Sequence, residues 1–250
     1  MRSLLVLLAL SIASIPALAS AAFGISSSSG LNYIDNTGGA ITDFSEGALE
    51  DPGNLAFLIN EGVATTEGFG VDHNGAPGTY TTFSQLSSKT LDAGQYASYL
   101  VHFDPFGQPD RHVKTFGQVT FDEQTRIVGL ALLPGADVGI GSSPNTLAAT
   151  DAIFGPDYTY YTSFAFRGLE LGNSTNPDGF RISSDGRTFS FDTETLGFSA
   201  ARMGIDEVRL ILQAVPEVSS IVAWSMVAGL ALVVWCVHSK RTRRVAVVED

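Results

Sequence analysis

Residues 219–238 form a run without a single charged side chain, counting His238 as neutral. As a helix rising 1.5 Å per residue, such a run reaches about 30 Å, the thickness of a bilayer's hydrocarbon core and more than a buried helix of a small domain usually needs. The run therefore predicts a transmembrane helix over 219–238. Lys240, Arg241, Arg243 and Arg244 follow at once, and basic residues beside a span stay on the cytoplasmic side. This one feature divides the chain. Residues 245–250 become a short cytoplasmic tail, and everything before the span has to fold outside.

The N-terminus agrees with that topology. Arg2 precedes an apolar stretch over 4–15, and small residues stand at the −3 and −1 positions of two cleavage sites, after Ala19 and after Ala21. Residues 1–21 read as a secretory signal peptide and take no part in the fold. The exported domain is then 22–214, followed by a C-terminal segment over 215–244.

The exported part, taken to Val215, holds 9 Lys and Arg against 23 Asp and Glu, a formal charge of −14. That sign excludes nucleic acid as a partner, because phosphate binding needs positive charge. The sole cysteine, Cys236, lies inside the apolar run, so the domain has no disulfide and must be held by packing.

Short apolar runs that tend to alternate, separated by Gly, Pro, Asn and Asp clusters, predict an all-β fold: an antiparallel β-sandwich, jelly-roll-like, with one short helix. Residues 22–39, with four consecutive serines, read as a loose lead-in and one short strand. Residues 54–59 have the size of a buried strand, and 71–78 read as a loop through Asn74-Gly75 and Pro77-Gly78. The strongest strand is 95–104. Ala97, Tyr99, Val101 and Phe103 share one face and Tyr96, Ser98, Leu100 and His102 the other. Neither face is polar throughout, which predicts a central strand. Strands follow over 116–121 and 127–133, then a helix capped by Asn145, and strand character over 158–171. A hairpin turns at Asp185-Gly186, and a last strand covers 205–212.

Pro216 and Glu217, the apolar run and the cluster Lys240, Arg241, Arg243, Arg244, in that order, resemble the PEP-CTERM sorting signal of bacterial surface proteins, which exosortases process. Val218 stands at the position of the family's second proline, and residues 245–250 extend beyond the arginines. The resemblance implies cleavage near Pro216; a permanent single-pass anchor with a binding ectodomain is the other reading of the same segment. Stretches at 99–105, 117–121, 167–171 and 185–188 are similar to exported β-domains that carry this signal. They imply a β-sandwich and bring no activity with them. The partners so implied are the membrane, an exosortase-type processing enzyme and extracellular polysaccharide, and the location is the cell surface or extracellular matrix.

No catalytic, cofactor-binding or metal-ligating residue is assigned. Nucleophile elbows, His-Glu-x-x-His and phosphate-binding loops are missing from the sequence. His102 and Asp104 share a strand face and offer a base with its orienter, but no nucleophile accompanies them. His73 and His112 lack ligand spacing for zinc. Calcium is the one cofactor left open, at residues 173–178 or at Asp72 with Asn74, where turn chemistry is the competing explanation. Tyr158, Tyr160 and Tyr161 offer rings for stacking on sugars, against ordinary core packing. The expected role is structural or adhesive and non-enzymatic, with weak carbohydrate binding; the alternative is a glycoside-directed surface hydrolase, which would need two carboxylates in one groove.

Overall fold

The structure, a computed structural model, describes residues 23–45, 47–107, 113–133, 146–160, 167–169, 171–172, 178–195, 205–215, 229–232 and Trp235. In chain order the strands are β1 (Ile25–Ser29), β2 (Leu31–Asp35), β3 (Asp43–Phe44), β4 (Ala56–Thr66), β5 (Phe69–Val71), β6 (Gly78–Tyr80) and β7 (Lys89–Leu91). They continue with β8 (Gly94–Phe103), β9 (Val113–Phe121), β10 (Thr125–Ala131), β11 (Thr159–Tyr160), β12 (Gly179–Ile182), β13 (Thr188–Thr195) and β14 (Asp206–Ala214). Helix α1 (Thr146–Phe154) lies between β10 and β11. The molecule is thus mostly β, and its strands form a sandwich.

The first sheet has the order β1-β9-β13-β12-β6 and the second β10-β14-β8-β4-β2. Alternation decides what faces inward. Along β9, Val119 and Phe121 point into the core, while Lys114, Phe116 and Gln118 point out. Val119, Phe121, Phe180, Ile182, Phe189 and Phe191 from the first sheet meet Leu58, Ala97, Tyr99, Val101, Phe103, Leu210 and Leu212 from the second in one core. Each large side chain buried there contributes about 1.5–3 kcal/mol.

β8 is central, as its two-faced apolar pattern predicts: it lies between β14 and β4. Ala97, Tyr99, Val101 and Phe103 line the core. Tyr96 and Leu100 point to the opposite side, into two smaller apolar clusters. That outer side of the second sheet is covered. Phe69, Val71, Leu91 and Phe154, from the β5–β7 ribbon and α1, pack on Tyr96 and Ile211. Phe44 and Tyr160, from the β3–β11 pair, pack on Ile59 and Leu100.

Three expectations need correction. The pairing is not wholly antiparallel, since β2 runs parallel to β4 and β3 parallel to β11; the long excursion through residues 36–55 supplies the crossover that parallel neighbours require. The serine-rich lead-in is ordered strand, and residues 22–39 hold two strands rather than one. β1 gains its order from β9, with which Ser27, Ser28 and Ser29 pair, and this pairing outweighs the weak strand preference of serine. Third, the strand expected over 54–59 begins at Ala56 and continues to Thr66.

Gly30 joins β1 of one sheet to β2 of the other. Its φ is +66°, and a Cβ there would stand 2.4 Å from the Phe116 carbonyl oxygen. Only glycine fits both demands. The Asp185-Gly186 hairpin forms as predicted, with Gly186 at φ +69° and β12 paired antiparallel to β13.

The segment over 1–21 expected to be a signal peptide, with Ala19 and Ala21, lies outside the described residues, as do Asn145, Pro216, Glu217, Lys240, Arg241, Arg243 and Arg244. So do Tyr161, His112 and residues 173–177. Residues from Val215 onward form a separate unit, of which 229–232 and Trp235 are helical. Among the described residues no helix is long and apolar enough to cross a membrane.

Candidate functional site

The densest charge in the described protein is sealed beneath α1, on the outer side of the second sheet. Alternation puts Glu61 of β4, Ser98 and His102 of β8, and Glu207 and Arg209 of β14 on that side, and strand register brings His102 opposite Glu207. Arg209 grips Glu61 with two hydrogen bonds, Nε to Oε2 and Nη2 to Oε1, each 2.8 Å. Its Nη1 donates to Asp151 Oδ1 at 2.8 Å, to Thr150 Oγ1 at 2.7 Å and to the Leu147 carbonyl at 3.2 Å, all on α1. Arg167 completes the chain of charges. Its two Nη groups donate to Asp151 at 2.5 and 2.9 Å, and its Nε donates to Glu207 Oε2. Glu207 Oε1 lies 2.8 Å from His102 Nδ1.

Glu61 also accepts hydrogen bonds from Ser98 Oγ at 2.5 Å and Tyr160 Oη at 2.7 Å. Both guanidinium groups lie over the Tyr160 ring, 4.9 and 5.3 Å from its centroid, an arrangement favourable for cations in a dry site. Burial by itself would raise the pKa of Glu207. Arg167 and the His102 hydrogen bond outweigh it and hold the carboxyl down at about 2. Burial likewise opposes the charge of Glu61, and Arg209 with the Ser98 and Tyr160 hydroxyls keeps it ionised. Burial disfavours both arginine cations, but their carboxylate neighbours push them above their ordinary value.

Chemically this is a brace. Glu61, Glu207, Arg167, Arg209 and His102 are buried, and each carboxylate is engaged by a guanidinium. His102, expected beside Asp104, pairs with Glu207 instead, while Asp104 Oδ2 accepts the Gly47 N–H at 2.6 Å. Tyr160, weighed as a sugar platform, is a buried member of the brace. Tyr158 packs edge-on against Phe44 at 5.4 Å between centroids.

Asp72, weighed as a calcium ligand, is also spoken for. Its Oδ2 accepts the N–H groups of Leu132 and Leu133 at 2.8 and 2.9 Å and the hydroxyl of Thr146, the first residue of α1. Asn74 Oδ1 accepts the Ala76 N–H at 3.0 Å, which is turn chemistry. Asp178, at the end of the second proposed calcium loop, accepts the Glu194 N–H at 2.9 Å. Among the described residues no group of three His, Cys, Asp or Glu side chains is placed to hold a metal ion. His73 is buried against Tyr80 and Phe180, with ring centroids 4.2 and 5.7 Å away. Its Nδ1 accepts the Gly75 N–H at 3.1 Å, and its Nε2 has no partner among the described residues. Burial pushes its pKa down to about 4.

The open face is elsewhere, on the outer side of the first sheet. A shallow groove of about 330 Å³ runs there between β6, β12 and β13, lined by Thr79, Thr81, Gly179, Arg181, Ser190 and Asp192 with Phe180 and Phe191. Gly179 brings no side chain to this lining. Sequence reasoning missed both places. Glu207 and Arg209 stand two apart on the last strand, and nothing local in the sequence says that a helix covers them.

No family model, curated protein or solved structure matches this chain. Fold and site together define its class: an acidic β-sandwich with one sheet braced by a buried ion network and the other open to solvent.

Proposed function

We propose that the chain is an exported β-sandwich of the bacterial cell envelope or extracellular matrix, non-enzymatic, with a structural or adhesive role and weak carbohydrate affinity. Residues 1–21 direct export, and a PEP-CTERM-like segment over 215–244, with its transmembrane helix over 219–238, sorts the product. The two five-stranded sheets support a jelly-roll-like arrangement. β14 holds its pairing with β10 to Ala214, opposite Thr125, so the folded body runs almost to Pro216, where the proposed sorting segment starts.

The observation that carries the structural reading is the closed network. A hydrolase needs carboxylates that meet substrate and change protonation during turnover. Here Glu61 and Glu207 are walled in by α1 and fixed as ion-pair partners, where they clamp the covering layer to the sheet.

The test is a pair of variants, Glu61→Gln and Glu207→Gln, examined for both stability and glycoside cleavage. Each should lower the thermal midpoint by several degrees, because each leaves a buried arginine short of a counter-charge. The wild type should release no reducing sugar from neutral or uronic-acid polysaccharides. Release by the wild type that either variant abolishes, with stability unchanged, would overturn the structural reading.

A further inference from the structure

The outer face of the first sheet carries features that folding alone does not call for. Register aligns Ser29, Gln118, Ser190, Arg181 and Thr79 in one row across all five strands. Directly opposite residues share a face, so this row is a continuous line of hydroxyl, amide and guanidinium groups. Side-chain contacts bear this out: Ser190 Oγ donates to Gln118 Oε1 at 3.2 Å, and the Thr120 and Thr188 hydroxyls on the same face are 3.0 Å apart. The neighbouring row runs Phe116, Asp192, Gly179. Phe116 is 73% exposed, an aromatic ring standing on a polar sheet where it gains little from folding. Asp192 lies beside it and also lines the groove above Gly179.

We propose that this face is a binding site for a neutral glycan, with Phe116 as the stacking platform and Asp192, Arg181, Ser190 and Thr79 as the hydrogen-bonding groups. The inference rests on the adhesive reading above and gives it a location. The ring and the groove lie two strand spacings apart, roughly 10 Å, the reach of a pair of linked sugar rings. A sugar presents an apolar C–H face and a rim of hydroxyls that both donate and accept. The face matches it with one exposed ring, an acceptor-only carboxylate, a donor-only guanidinium and amphoteric hydroxyls. Its charges balance: Arg181 with Asp192, and Lys114 with Glu194 at 3.3 Å. On a domain of formal charge −14, a face without net charge selects a neutral ligand over an acidic one.

The experiment uses the full chain, purified in a detergent without a sugar headgroup, on an array of neutral glucans, mannans and galactans beside uronate and sulfated oligosaccharides. Binding to at least one neutral series is expected. Phe116→Ala and Asp192→Asn should each weaken it at least tenfold with the thermal midpoint unchanged, since both side chains are exposed. Phe106→Ala, which removes a second exposed phenylalanine among the described residues, should leave binding intact. Absence of neutral binding, binding to uronates alone, or equal sensitivity to Phe106→Ala would overturn the proposal. None of these outcomes depends on where the protein is sorted or on the stability of the ion network, so this site can fail while the broader reading stands.

Discussion

His73 and His102 are both sealed inside the protein, and they are treated oppositely. His102 has a carboxylate partner in Glu207; His73 has two aromatic rings and one backbone N–H. The folded protein therefore resists protonating His73 until the pH falls to about 4, against 6.5 for an ordinary imidazole. Above pH 6.5 the ring is neutral in both states and stability is unaffected. Between 6.5 and 4 the unfolded chain takes up a proton that the folded one refuses, so stability falls as pH drops, by about 1.4 kcal/mol per unit. Denaturant titrations at pH 7 and pH 5 should show roughly 2 kcal/mol lost to this group, and His73→Phe should remove that part of the pH dependence. Equal slopes in the two proteins would mean that His73 is protonated in the fold. The sequence could not announce this. Asn74-Gly75 and Pro77-Gly78 mark His73 correctly as a loop residue, but its burial comes from Tyr80 and Phe180, paired with each other across β6 and β12, and Phe180 lies far along the chain.

At the scale of elements, the ion network fastens α1 to the second sheet alongside the packing of Phe154 on Tyr96 and Ile211. Arg209 alone ties Glu61 of β4 to Thr150, Asp151 and the Leu147 carbonyl of the helix. Arg209→Met should cost about 3–5 kcal/mol, because it strands a buried carboxylate. Glu61→Leu should cost a similar amount for the converse reason. The double variant should cost clearly less than the sum, since neither charge is then left alone. A double-mutant cycle from urea denaturation checks this; strict additivity would contradict the brace.

How legible these elements are depends on where their order originates. The faces of β8, the β12–β13 hairpin and the last strand can be read from alternation and from Asp185-Gly186, because those signals are local. The strand over the serines and the parallel pairing of β2 with β4 cannot, because each depends on the neighbour it meets, β9 for the serines and β4 for β2. The site was legible only in fragments. His102, Asp72 and Tyr160 each stood out as polar or aromatic groups, but the partner of each lies on another element distant in sequence.

For the whole molecule, we propose that a cysteine-free acidic sandwich is exported, held by a span and sorted at Pro216. The span must keep the chain in the bilayer while the basic cluster keeps its end inside. An arginine at the centre of a span costs about 2.5–3.5 kcal/mol, so Leu230→Arg with Leu232→Arg should let the chain pass through uncut into the medium. Replacing Pro216 and Glu217 by alanine should leave insertion intact and block processing. The most direct measurement is the intact mass of the wild-type protein in the envelope and medium fractions of a host that carries an exosortase. A product that begins near Ala22 and ends near Pro216, with the double-alanine variant retained at full tail length, is the predicted result. A wild-type protein that still carries residues 219–250 in that host would contradict it, and would leave the C-terminus a permanent anchor.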